Sequence, residues 1–171
     1  MRIKKVIFIP FLIPLVVLFV DRTLGLLLFL LVLEKLFFVF PTFGIEFTTL
    51  PTLYIAIHYN LLYSFFFNLI FVPILAFIKS YFIEGNTEKL PFPEGGHIID
   101  FLVATLAFYI KIFFPNPLTF FVGILVCLVF KHLLSYIKSK LVSSFINPYE
   151  IPINIFFNLI VFYLLFQLQL L

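Results

Sequence analysis

The stretch at residues 95–114, GGHIIDFLVATLAFYIKIFF, is the one to which the other segments have to be fitted. It is a hydrophobic run of membrane-spanning length that nevertheless carries charge. At roughly 100° per residue, His97, Asp100, Ala104, Ala107 and Lys111 fall within about 80° of one another, so one narrow stripe is charged at both ends and small in the middle. The remaining faces are Ile, Phe, Leu, Val and Tyr. An ionised Asp facing lipid costs at least ~2.5 kcal/mol, so in a bilayer the stripe must turn toward protein or water. Neighbouring helices have to supply the cover, and Ala104 and Ala107 suit close helix packing.

The rest of the composition agrees with a membrane setting. Of 171 residues, 64% are hydrophobic and 11% charged, and the mean hydropathy is +1.24. Soluble globular domains carry roughly 25% charged residues. The expected fold class is therefore all-α, a polytopic transmembrane helical bundle forming one integral membrane domain over residues 1–171. The net charge of +3 is small and dispersed, which excludes nucleic acid as a partner. Cys127 stands alone in an apolar run, so there is no intrachain disulfide and no thiolate metal cage.

Working outward, embedded segments are expected at about 6–20, 23–40, 52–78, 98–114, 118–137 and 152–171. The first begins with Arg2, Lys4 and Lys5 and resembles a signal peptide, but no small-x-small cleavage site follows, so it reads as a retained helix. The second carries Glu34 and Lys35 near its far end, where long side chains can snorkel to the interface. PTFGIEFTTLP at 41–51 is a break containing Glu46. The run 52–78 is long enough for one tilted helix or for two pieces, with Asn60, Ser64 and Asn68 recurring every four residues on one face and Tyr54 and His58 on another. The loop from Tyr81 to Gly96 is the one sizeable solvent segment. Gly123, Cys127, Lys131 and Ser135 form a ridge that suits close helix approach in its first half and reaches water in its second. Lys131, Lys138 and Lys140 read as anchors to anionic headgroups. The last helix starts at Pro152, with Asn154 and Asn158 on one face. Hydrophobic segmentation favours six crossings, whereas the positive-inside rule favours five.

No HExxH, GxSxG or P-loop occurs, and the only aspartates are Asp21 and Asp100, so no enzyme activity, metal or cofactor is expected. The polar residues expected to line a cavity are Glu46, Asn60, His97, Asp100 and Asn154. His97 and Asp100, three apart on one face, can share a hydrogen bond or a proton. The alternative is that both mark the interface at one helix end while Lys111 snorkels at the other.

The layout of six short apolar segments, FGIEFTTLP before a central span and PINIFFNLIVF opening the last helix is similar to a superfamily of small polytopic membrane proteins. It includes the substrate-binding S-components of energy-coupling-factor vitamin transporters and the rod-shape protein MreD. The resemblance implies a small-molecule binding or transport subunit of the cell membrane. The alternative it carries is a non-enzymatic scaffold or assembly subunit, MreD-like, docking through Gly123 and Cys127. Either implies the lipid bilayer and other membrane subunits, or further copies of the chain, as partners; the first adds a small-molecule ligand.

Overall fold

The computed structural model describes residues 8–37, 46–85, 88, 90–113, 117–141 and 149–168, with the backbone alone at 117–120. All regular structure among these residues is helical. Helix α1 (Ile9–Leu18) has Pro10 in its first turn, where a missing N–H breaks no bond, and Pro14 further on. The chain then turns at Asp21, whose Oδ1 accepts the Leu24 N–H at 2.9 Å and so caps α2 (Arg22–Phe37). The two helices form a tight hairpin. A Cβ on Gly25 would lie 2.7 Å from both N and Cα of Leu18, and Phe11 packs its ring on Phe29 and Phe37.

Helix α3 (Thr49–His58) is buried from Thr49 through Ile57. It is 10 residues long, about 15 Å of helix, half of what a hydrocarbon core requires. The run expected at 52–78 is thus two pieces, and they fold back on each other. Asn60 is extended (φ −158°, ψ 175°) and its Oδ1 accepts the Tyr63 N–H at 3.0 Å, which ends one helix and caps the next, α4 (Leu61–Ile83). Thr52 Oγ1 then donates to Asn68 Oδ1 at 2.8 Å. A continuous helix would hold those two residues about 24 Å apart. Within α4 the turn Phe67–Phe71 widens to π geometry just before Pro73, which has no N–H to donate.

Helices α5 (Gly95–Phe113), α6 (Pro117–Leu141) and α7 (Glu150–Gln167) follow as successive antiparallel passes. Gly123 faces Ile110 at one end of the α5–α6 pair and Lys138 lies beside Gly95 at the other. Along the α6–α7 pair, His132 meets Asn154 and Phe121 meets Phe166. Ala104 and Ala107 are fully buried, as are Ile124, Cys127 and Leu128 on α6. Four helices, Leu61–Ile83, Gly95–Phe113, Phe121–Leu141 and Glu150–Gln167, are long and apolar enough to cross a membrane.

The bundle is organised around α3. One of its ends holds Glu46, the finish of α2, the start of α5 and the finish of α6; the other holds Asp21, Tyr59, Asn60 and Lys111. This follows from the bonds of Glu34 to Phe47, Asp21 to Tyr54 and Tyr59, and Lys111 to Ile57.

The two packed glycines differ in what surrounds them. At Gly25 the nearest atoms include backbone, whereas at Gly123 the three nearest atoms to a Cβ are side-chain atoms of Ile110, the closest its Cγ2 methyl. Gly25→Ala is expected to lower the thermal midpoint in detergent severely and to resist rescue by Leu18→Ala. Gly123→Ala is expected to cost about 1–3 kcal/mol and to be relieved by Ile110→Ala in a double-mutant cycle.

Candidate functional site

Three elements converge on Lys131, which follows the apolar run 121–130 on α6. Its Nζ donates to Glu46 Oε2 at 2.9 Å, from the connector that precedes α3, and to Thr49 Oγ1 at 2.6 Å, in the first turn of α3. Asp100 Oδ1, from α5, lies 2.8 Å away. That last approach is a charge contact, since Asp100 Oδ1 has no aligned hydrogen-bond donor. The ammonium thus donates to two oxygens, and Asp100 adds opposite charge without an aligned hydrogen bond. The Lys131 and Asp100 side chains are 7% exposed and that of Glu46 is 32%.

Around this centre lies a second ring of polar groups. Lys35 Nζ is 3.2 Å from Glu34 Oε1 and 4.0 Å from Glu46 Oε1. The Glu34 carboxylate is buried, and its Oε2 accepts the Phe47 N–H at 2.8 Å, which ties the end of α2 to the start of α3. On the far side, His132 Nε2 lies 3.2 Å from Asn154 Oδ1, and Asn158 Nδ2 donates to Asn154 O at 2.8 Å and Oδ1 at 3.0 Å. Burial pushes the Glu46 carboxyl up, but the ammonium groups of Lys131 and Lys35 outweigh it and hold the group well below the usual carboxylate range.

From this centre polar contacts continue along α3. Thr52 bonds Asn68, Asn68 Nδ2 donates to Ser64 O at 3.0 Å, and Ser64 Oγ donates to Asn60 O at 3.2 Å. At the opposite end Asp21 accepts from Tyr59 Oη at 2.7 Å and from Tyr54 Oη at 3.1 Å, Tyr54 stacks on His58, and Lys111 Nζ donates to Ile57 O. Burial raises the Asp21 carboxyl, but the Leu24 N–H and the Tyr59 and Tyr54 hydroxyls together take it below its ordinary value.

The five expected lining residues therefore separate. Glu46 and Asp100 share Lys131, and Asn154 joins the same region through His132. Asn60 is a helix cap at the other end. His97 does not bond Asp100; its Nδ1 accepts the Glu94 N–H at 2.8 Å at the start of α5. Three lysine and glutamate expectations are corrected. Lys131 turns inward, because two carboxylates and a hydroxyl attract it more strongly than headgroups; Glu34 is a buried acceptor; and Lys111 donates to the Ile57 carbonyl at the end of α3. Lys131 and Glu34 were both legible in the sequence as charges within apolar runs, which mark functional positions by default. Thr49 carried no such signal. Among the described residues no three His, Cys, Asp or Glu side chains gather as a metal-holding group.

Comparison of the chain with family models, with curated proteins and with solved structures returns no match.

Removing the ammonium leaves Asp100 buried beside Glu46 with nothing between them. Lys131→Met is expected to destabilise the protein by roughly 3 kcal/mol, the low end for a broken buried pair because Glu46 is partly solvated. Adding Asp100→Asn should recover much of that loss in unfolding titrations.

Proposed function

We propose that the chain is a multi-pass integral membrane protein of the cell membrane acting as a non-enzymatic small-molecule binding or transport subunit. The observation that carries this reading is Lys131, buried within a helix long and apolar enough to cross a membrane and bridging one partly open carboxylate and one sealed carboxylate. Ionisable groups within such a helix are costly and belong to ligand or ion sites by default. The surface supports the setting: large apolar side chains face outward, Val16 at 65%, Leu62 at 61% and Phe156 at 68% exposure, while Asn68, Asn158 and Thr52 are fully buried. Water would not tolerate so much exposed apolar surface on a monomer.

The fold-back at Asn60 bears on orientation. Because α3 and α4 run in opposite directions, the run 52–78 starts and finishes on the same side, and Lys35, Lys79, Lys138 and Lys140 belong to the end that carries Glu46. Arg22 and Lys111 belong to the other. The positive-inside rule then places the Glu46 end in the cytoplasm, and segmentation and charge no longer conflict. The resemblance to S-components and MreD-like proteins supports action alongside other membrane subunits or as a homo-oligomer. Of the two branches of that resemblance, the assembly subunit has less support, since Gly123 faces Ile110 and Cys127 is buried within the chain.

Native mass spectrometry of the gently extracted protein tests the reading. A stoichiometric small-molecule adduct is expected, lost in Asp100→Asn and Lys131→Met but retained in His97→Ala and Asn60→Ala, whose side chains lie outside the centre. A co-purifying polypeptide with no small-molecule adduct would move the assignment to the assembly subunit.

A further inference from the structure

The charged groups of the Lys131 centre differ in how firmly each is held. Lys131 and Asp100 project from the interiors of α6 and α5, each 7% exposed, so neither can leave without moving a long helix. Glu34 is sealed and bound to the Phe47 N–H. Glu46 stands outside any helix, on the connector that leads into α3, and its side chain is 32% exposed. Of the partners of Lys131, it is the one that a side-chain rotation alone can release. The groups closest to its carboxylate are cationic: Lys131 Nζ at 2.9 Å from one oxygen and Lys35 Nζ at 4.0 Å from the other. The first turn of α3 begins three residues on, which adds the positive end of a 10-residue helix. Thr48, at that helix start, has a buried hydroxyl without a partner.

We propose that Glu46 fills, as a tethered stand-in, a cradle built for the carboxylate of a small anionic substrate, which enters by displacing Glu46 from Lys131 and Lys35. This rests on the small-molecule reading above and names its substrate class. The exchange conserves charge: one carboxylate swings into water as another arrives, so neither ammonium loses its counter-ion in a low-dielectric surrounding. Thr49 and Asp100 keep Lys131 in place throughout. A cationic substrate meets the opposite situation. It would have to expel Lys131 from the middle of α6, or sit against Lys131 and Lys35 with like charges in contact. Since Glu46 is covalently tethered, it competes at high effective concentration, and a free carboxylate must bring further contacts to win.

The full chain in lipid nanodiscs, with sodium acetate as the probe and sodium chloride at equal ionic strength as the control, tests the proposal. Glu46→Ala opens the cradle, so acetate is expected to raise its thermal midpoint saturably, with half-saturation about tenfold below that of the unaltered protein. Glu46→Gln keeps the packing but holds the two ammonium groups less firmly, and is expected to respond between the two; it carries the test alone if Glu46→Ala does not fold. Adding Lys131→Met to either variant should abolish the response. No acetate response in a folded Glu46 variant, a response that survives Lys131→Met, or stabilisation by methylammonium in place of acetate would each overturn the carboxylate cradle. If a Lys131-dependent native adduct persists alongside such a result, the binding-subunit reading stands and the substrate class alone is wrong; if no adduct exists, the binding reading itself fails.

Discussion

The ammonium of Lys131, held between Glu46, Asp100 and Thr49, is the constraint on which the arrangement of the other helices depends. A charge buried within a membrane-spanning helix is stable only when its protons meet oxygens and its field meets opposite charge. Satisfying both conditions at once fixes the rotation of α6, which supplies the lysine, the rotation of α5, which supplies Asp100, and the position of the α3 N-terminus, which supplies Thr49 and leads from Glu46. Hydrophobic packing alone would leave these rotations loosely set, because in a bilayer lipid and protein are similarly apolar and give little preference for one helix face over another.

Helix α3 is the element that this arrangement makes tenable. It is too short to cross a membrane, and its N-terminal end at Thr48 and Thr49 is buried, where unpaired backbone groups need partners. Lys111 supplies a donor for the carbonyl of Ile57 at one end, and the anionic groups of the Lys131 centre sit near the N-terminus at the other. The Lys111 charge is of the sign that the helix dipole favours at a C-terminus. Thr52, bonded to Asn68, occupies the middle, so α3 is linked to α4 by a polar contact as well as by burial. The same helix brings the Asp21 and Tyr59 contacts at one end and the ionic centre at the other into a single bundle.

Under the proposed function, the asymmetry between the two carboxylates on Lys131 is what would turn a structural ion centre into a site. Were Glu46 as deeply enclosed as Asp100, the three groups would form a lock and nothing more. Its place on a connector, with a third of its side chain open, leaves one member of the triad exchangeable while the other two hold their geometry. Preorganised cations with an exchangeable anion recognise a ligand without rebuilding the site each time.

The class of the fold is legible in the residues alone. Long apolar runs in lipid have to satisfy every backbone group internally, which leaves helices as the solution, and Pro41 and Gly44 mark a break between two of them. The sequence also identified Glu46, Asp100 and Asn154 as polar groups in need of cover, and the small faces at Ala104, Ala107, Gly123 and Cys127. Helical periodicity gives each residue an angle on its own helix, and says nothing of how that helix is rotated against its neighbours. Only the tertiary structure decided that Lys131 points inward to join Glu46 and Asp100, that His97 and Asn60 serve helix ends, and that the run 52–78 reverses at Asn60. Those outcomes follow from charges and hydrogen-bonding groups far apart in sequence finding one another where no water competes for them.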